Sequence, residues 1–329
     1  THTQRVVKSL GELAGWEKLS LTEKNILILA ALLHDIAKPI TFKLDEQGRP
    51  CFSDHSTKGY WKGREILMQT FTPPVPFFHR EVIVSLIRFH RLPLKTDDNN
   101  KVEKLIYMAS QTTPLYLLAL LAEADVMGRI SPDKQNLLDR VKLFRDFAKE
   151  KECFRQPKSF FNDHTRVLYF QNQDLDPQAE IKDNTKTEVI MMAGLPGSGK
   201  DYWIKKNMPS LPVISLDQIR EEIQHPPSGD QSKVITLAKD RAKDYLRKEQ
   251  PFIWNATSLK YHLRQPLIQL FTSYQARCRI VYRETLFSQI LKQNQSRSRV
   301  VPPAVIYEMA SEIDMPDLTE AHEVVYSIY

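Results

Sequence analysis

The chain reads as two domains of different class: an all-α domain, then an α/β domain built on a parallel sheet. Three observations predict this. Residues 1 to 150 carry repeated helical apolar patterns with little alternation. The apolar run Val189-Ile190-Met191-Met192 feeds a glycine-rich turn that opens a helix near Lys200, and short apolar runs then alternate with helical patterns. Between these regions, from about residue 156 to 187, periodicity fails. The expected domains are 1–155 and 187–329, joined by a linker over 156–186.

At 329 residues the chain has room for both. Apolar content of 42% and charged content of 26% are those of an ordinary soluble globular protein. A formal charge of +6 and a pI near 9.0 favour a polyanionic partner, although the basic residues are scattered. Cys51, Cys153 and Cys278 form no C-x-x-C pair, which suggests a reducing compartment. No signal peptide or unbroken span of about 20 apolar residues appears, so the expected location is the cytoplasm, with no membrane role. The chain opens on Thr1-His2 without an initiator Met, so upstream sequence is expected to be missing. No repeat or low-complexity block is present.

In the first domain, His2, Val6, Leu10 and Leu13 fall on one face of an opening helix. Ser20 and Glu23 form a capping box for a second helix through Leu33, stopped near Pro39. Asp45 to Pro50 is a turn. A helix from about Glu81 carries Ile83, Leu86 or Ile87, and His90 on one side. Thr113-Pro114 starts another, whose Leu118, Leu121 and Asp125 share a face, and Ser131-Pro132 starts a charged helix to about Lys151. In the linker, Asn162-Asp163-His164 and Gln171-Asn172-Gln173 flank a short strand expected at Val167–Phe170, with His164 expected on the polar surface rather than as a ligand. Further strands are expected at Pro212–Ser215, Pro251–Trp254, Cys278–Tyr282 and Glu323–Tyr326, with a helix from Ser232 to Lys248.

His34-Asp35 is the informative pair of the first domain. Adjacent helical residues point about 100° apart, so both reach one ion only where a helix ends or faces a cavity. The pair alone also fits a capped core histidine beside an exposed aspartate. His2 and Asp125, however, lie on otherwise apolar faces, where an unpaired polar group is costly. Four such groups on three helices point to a divalent metal, for which imidazole and carboxylate are suitable donors.

In these residues the chain resembles the HD phosphohydrolase superfamily, whose pattern is an early His, a later His-Asp and a distal Asp. His2-Thr3-Gln4-Arg5-Val6, Ala31-Leu32-Leu33-His34-Asp35-Ile36-Ala37-Lys38 and Ala124-Asp125 carry the likeness. The stretch from Leu32 to Gly59 also looks like the HD domain of some tRNA CCA-adding enzymes. The resemblance implies one or two divalent transition metals on His2, His34, Asp35 and Asp125, with His55 and His90 as additional ligands and His79 as the substitute. It implies phosphoester hydrolysis through metal-bound water. Lys38, one turn past His34, and Arg129, four residues after Asp125, could hold the same phosphate, or be solvated surface. A regulatory or structural metal site is the alternative.

In the second domain, Gly194-Leu195-Pro196-Gly197-Ser198-Gly199-Lys200 completes G-x-x-x-x-G-K behind a strand. Its glycines let successive N–H groups face phosphate oxygens, and the helix N-terminus and Lys200 add positive charge. Gly194, Pro196, Gly197, Ser198, Gly199 and Lys200 are the expected contacts for a nucleoside triphosphate. Asp201 stands where Ser or Thr normally meets Mg²⁺. Asp217, just past a strand C-terminus, could take a proton from an acceptor hydroxyl, and Arg220 could grip an acceptor phosphate. Asp217 could also be a helix N-cap.

Ser215-x-Asp217-x-x-Arg220 behind this loop is similar to the 5′-OH polynucleotide kinase family. The similarity continues at Asn255-Ala256-Thr257 and at Asn294 to Pro302, which looks like that family's arginine lid. It implies ATP with Mg²⁺, Asp217 as general base, Arg220 on the acceptor phosphate, and Arg297 and Arg299 over the ATP phosphates. The two domains together look like the bacterial bifunctional HD phosphohydrolase–polynucleotide kinases linked to RNA repair. Implied partners are RNA, or DNA, with 5′-OH and 2′,3′-cyclic phosphate or 3′-phosphate ends, and an RNA ligase that joins the healed ends. The alternatives are a small-molecule or nucleoside kinase with a regulatory or tRNA-binding HD domain, and an ATP-gated scaffold.

Overall fold

The computed structural model describes residues 1–95, 100–171, 174–226, 228–297 and 299–329. Asn172, Gln173 and Ser298, part of the linker and lid readings, lie outside the described residues. The chain forms two compact units, Thr1–Ser159 and Phe160–Tyr329.

The first unit holds α1 (His2–Glu12), α2 (Leu21–Leu33), α3 (Lys38–Thr41), a hairpin of β1 (Phe42–Leu44) and β2 (Pro50–Phe52), α4 (His55–Gln69), α5 (Phe77–Phe89), α6 (Asn100–Ser110), α7 (Leu115–Gly128) and α8 (Lys134–Glu150). Capping boxes at Thr1/Gln4 and Ser20/Glu23 start α1 and α2, because each side chain satisfies a helix N–H that would otherwise lack a partner. Helix α7 is apolar on every side and is the unit's core, packed by α1, α2, α5 and α8. No single helix among the described residues is long and apolar enough to cross a membrane.

Three local expectations differ from the structure. Pro39 does not stop a helix; it sits in the first turn of α3, where its missing N–H costs nothing. Helix α5 begins at Phe77, a turn before Glu81. The Asp45–Pro50 turn closes a small antiparallel sheet, so the unit is not purely helical. Asp45 Oδ1 accepts from the N–H groups of Gln47 and Arg49, and Gly48 takes φ +75°, which pairs the flanking strands. Each strand is three residues long, too short to show alternation.

Gly128 sets the approach of α1 to α7. A Cβ there would lie 2.8 Å from Val6 Cγ2 and 2.9 Å from Val6 N. The Gly128 carbonyl accepts from Arg5 Nε at 2.7 Å, tying the N-terminus to the end of α7. Gly128→Ala is expected to wedge α1 outward at about 1–3 kcal/mol of stability. Thermal unfolding with and without divalent metal should show a lower Tm and a reduced metal-dependent gain, because His2 rides on α1.

The second unit holds α9 (Asp163–Gln171), β3 (Thr187–Ala193), α10 (Lys200–Asn207), β4 (Val213–Ser215), α11 (Leu216–Glu222), α12 (Ser232–Arg247), β5 (Phe252–Asn255), α13 (Tyr261–Ser273), β6 (Ala276–Glu284), α14 (Phe287–Gln295), α15 (Pro303–Ala310) and β7 (Glu323–Ile328). The sheet order is β4-β5-β3-β6-β7 and every pairing is parallel. Alternate residues Ile190, Met192, Ile253 and Val281 pack with Ile204 and Trp203 of α10, while Trp254 meets Phe271 of α13. The C-terminus of β3, the central strand, therefore opens at the carboxyl end of the sheet, where such folds bind ligands.

Two linker expectations are overturned. Val167–Phe170 is helical, inside α9, because Asn162 Oδ1 accepts from Thr165 N at 2.7 Å and starts the helix; that cap outweighs the β-propensity of Val and Tyr. His164 is buried, not on the surface. Its Nδ1 meets His322 Nε2 at 3.1 Å, and His322 Nδ1 accepts from the Cys278 N–H. Arg166 beside it donates to the carbonyls of Leu318 and His322, so α9 is bonded to the segment leading into β7.

Candidate functional site

In the first unit, the C-terminal ends of α2, α5 and α7 and the N-terminal ends of α1 and α4 bring together His34-Asp35, His90, Asp125, His2 and His55. Ligand atoms of His2, His34 and Asp35 lie within 4.8 Å of one another, as do those of Asp35, His55 and His90. Asp35 is the shared member. His2 Nε2 is 2.9 Å from Asp125 Oδ1, and His34 Nε2 is 3.2 Å from Asp35 Oδ2 and 3.8 Å from Asp125 Oδ1. His79 is exposed on the first turn of α5, apart from this cluster.

The sequence orients the rings by one repeated device. His34, His55 and His90 each donate from Nδ1 to the carbonyl three residues earlier, of Ala31, Phe52 and Ile87, at 2.7–2.8 Å. A neutral imidazole held this way leaves Nε2 as a lone-pair donor, and its orientation is fixed. The Nε2 atoms of His34 and His55 are buried without a hydrogen-bond partner. Such atoms are costly unless a cation takes them, and the nitrogen–carboxylate set suits a divalent transition metal. The residues therefore fit a metal centre.

The carboxylates set the electrostatics of His34: burial alone would lower its pKa, but Asp35 and Asp125 raise it. Burial, with the nearby His34, pushes His90 down to about 4, so it is neutral at ordinary pH. Burial also lowers His55. Burial alone would raise Asp35 and Asp125, but the nearby His34 ring and the Lys38 ion pair at Asp35, and hydrogen bonds from His2 and Arg129 at Asp125, hold both far below the usual carboxylate range. Lys38 and Arg129 are thus not merely solvated: Lys38 Nζ lies 2.6 Å from Asp35 Oδ2, and Arg129 donates to both oxygens of Asp125.

In the second unit the loop Gly194–Lys200 follows β3. Gly194, Gly197 and Gly199 all have positive φ. A Cβ on Gly194 would meet Arg283 O at 2.4 Å, and one on Gly197 would meet Ile290 O at 2.8 Å, so only glycine allows this curl against β6 and α14. Pro196 and Ser198 lie within the same loop, and the buried Ser198 Oγ lacks a partner. Lys200 Nζ donates to the carbonyls of Gly194 and Leu195, folding back over the loop. Asp201 Oδ1 accepts from Asn255 Nδ2 at 2.7 Å, at the C-terminal end of β5.

Asp217 lies in the first turn of α11. It is not the N-cap; Ser215 is, accepting from Gln218 N. The Asp217 carboxylate is therefore available, and Arg220 Nη1 reaches its Oδ1 at 2.5 Å while Arg220 Nε donates to Gln231. Arg297 Nη2 is 4.0 Å from Asp217 Oδ2, and Arg299 lies 3.4 Å from Glu221. Asn294 pins this loop through two hydrogen bonds with the Val301 backbone.

Sequence reasoning missed Arg283. It is buried at the end of β6, and its Nε would lie 3.6 Å from a Cβ on Gly199. Its Nη1 donates to Ser327 O, it lies over the Tyr329 ring, and among the described residues no carboxylate forms an ion pair with it. An arginine at the end of an apolar strand was the available signal.

Burial pulls the Lys200 ammonium down to about 8. A bound polyphosphate favours the protonated form and raises that value. Nucleotide affinity is therefore expected to be flat below about pH 8 and to weaken above it, approaching about tenfold per unit. Calorimetric titration across that range checks this; a flat profile through pH 9.5 would contradict it.

These features define a class: a helical domain with a histidine–aspartate cluster that fits a metal, followed by a parallel-sheet domain with a glycine-rich P-loop. Residues 1–127 match the family model of the HD domain, and residues 189–316 match that of the AAA domain. The chain thus carries an HD domain at its N-terminal end and a P-loop, kinase-like AAA domain toward its C-terminal end. No curated protein matches the chain. Among solved structures it is similar to one described as "a putative kinase" from Chloroflexus aurantiacus J-10-fl, with 18% identity, 44% of this chain and 86% of that chain covered, and a TM-score of 0.36.

Proposed function

We propose that the chain heals broken nucleic-acid ends, RNA above all. The P-loop domain phosphorylates a 5′-OH from ATP, and the HD domain opens a 2′,3′-cyclic phosphate and removes the resulting phosphate. The observation that supports this best is the Asp217–Arg220 pair, with Arg297 beside it. Asp217 takes the proton of the acceptor hydroxyl as it attacks the γ-phosphate. Arg220, anchored by Gln231, is placed for the phosphate next to that hydroxyl, a group that a polynucleotide has and a simple metabolite alcohol lacks. Lys200 exchanges its two carbonyl partners for phosphate oxygens, and Arg297 offsets charge on the transferred group. Asp201 supplies the oxygen donor for Mg²⁺.

In the HD domain, one or two metals shared among His2, His34, Asp35, Asp125, His55 and His90 would keep open positions for a water of lowered pKa and a Lewis-acid clamp on phosphate. Lys38 and Arg129 hold the ligand carboxylates and present spare N–H donors to the phosphate oxygens. The healed RNA would pass to an RNA ligase.

The test compares 5′-OH RNA, 5′-OH DNA and free nucleosides as acceptors over a range of salt. The proposal expects a polynucleotide preference that weakens with salt and is lost in Arg220→Ala. Equal or better use of nucleosides, with no salt dependence, would move the chain to the small-molecule kinases.

A further inference from the structure

We infer that Phe42 and Phe52 form a base-stacking platform beside the metal centre, which holds the terminal nucleobase of a single-stranded substrate. This rests on the hydrolytic reading of the HD domain and adds to it the part of the substrate that is recognised. Phe42 and Phe52 are directly paired across the β1–β2 hairpin, so both rings stand on one face of it. Their centroids are 5.9 Å apart and their planes are inclined by 57°, so a base stacked on Phe42 meets the Phe52 ring at its edge. Leu44 pairs with Pro50 on the same face, two residues along.

That face is turned toward the chemistry. Lys38 Nζ lies 5.6 Å from the Phe52 ring centroid while it bonds Asp35, the shared metal-ligand candidate, at 2.6 Å. The Phe52 carbonyl also holds His55 Nδ1. The hairpin is thus continuous with the site, and a phosphate on the metal side of Lys38 would place its nucleoside along the rings. Phe42 is 54% exposed and Leu44 61%, an apolar strip that the described residues do not cover. Aromatic rings next to a cation suit the face of a nucleobase, and stacking of this kind tolerates any base. Within a duplex the base faces are already stacked on their neighbours, so the rings favour the unstacked base of a single-stranded end.

The test uses the whole chain with Phe42→Ala and Phe42→Trp. The first reading is the ratio of kcat/KM for a nucleoside 2′-phosphate to that for base-free ribose phosphate. Phe42→Ala is expected to lower this ratio about tenfold, mainly through KM, and Phe42→Trp to keep it. The second reading needs no turnover: the added tryptophan of Phe42→Trp should be quenched by a 3′-phosphorylated RNA pentamer without divalent metal, beyond any quenching in the parent. An unchanged ratio in Phe42→Ala, or no added quenching, overturns the platform. If the parent hydrolyses no nucleotide ester, the hydrolytic reading fails, and the quenching alone decides whether a base is held there.

Discussion

Asp217→Ala is expected to reduce 5′ phosphorylation by about 10²- to 10⁴-fold, the range that a positioned general base contributes. ATP affinity should change little, because the loop Gly194–Lys200 is held by β6 and α14, not by Asp217. The loss should fall on kcat, since in the proposed role Asp217 takes the proton only as the hydroxyl attacks. Asp217→Asn keeps the shape and a hydrogen bond to Arg220 but cannot accept that proton, so it should be nearly as inactive. A variant with kcat within a few-fold of the parent would show that Asp217 only orients Arg220.

Asp35→Ala is expected to empty the HD site. Asp35 belongs to both ligand trios and balances Lys38, so its loss removes a donor from each trio and leaves a cation facing the remaining imidazoles. Loss of a partner that merely orients a metal ligand already costs about 10- to 100-fold, so loss of a shared ligand should exceed 100-fold in metal affinity. Elemental analysis of dialysed protein should find metal in the parent and little in the variant, and 3′-end processing should fall with it. Retained metal with unchanged hydrolysis would put the chemistry elsewhere.

The chemistry was more legible in the sequence than the packing. His34-Asp35 and Gly194–Lys200 carry their meaning in residue type and spacing, and the central strands β3 and β5 are apolar runs that a parallel sheet buries on both faces. What stayed hidden depends on contacts between distant residues or on very short elements. The His164–His322 pair spans 158 positions, so His164 alone looked like loop polarity. Helix α9 replaced an expected strand because one asparagine cap outweighed local propensity. The β1–β2 hairpin was too short to announce itself. The contact of Gly128 with Val6, which seats His2 against Asp125, is a steric fact that no single-residue reading supplies.

One RNA oligomer with a 5′-OH and a 2′,3′-cyclic phosphate tests the central claim most directly. It would be incubated with ATP, Mg²⁺ and Mn²⁺, and both ends read by mass. The parent should yield 5′-phosphate and a 3′ end free of phosphate. Asp217→Ala should change only the 3′ end, and Asp35→Ala only the 5′ end. If neither end changes in the parent, including with Ni²⁺ and Co²⁺, the end-healing account is wrong.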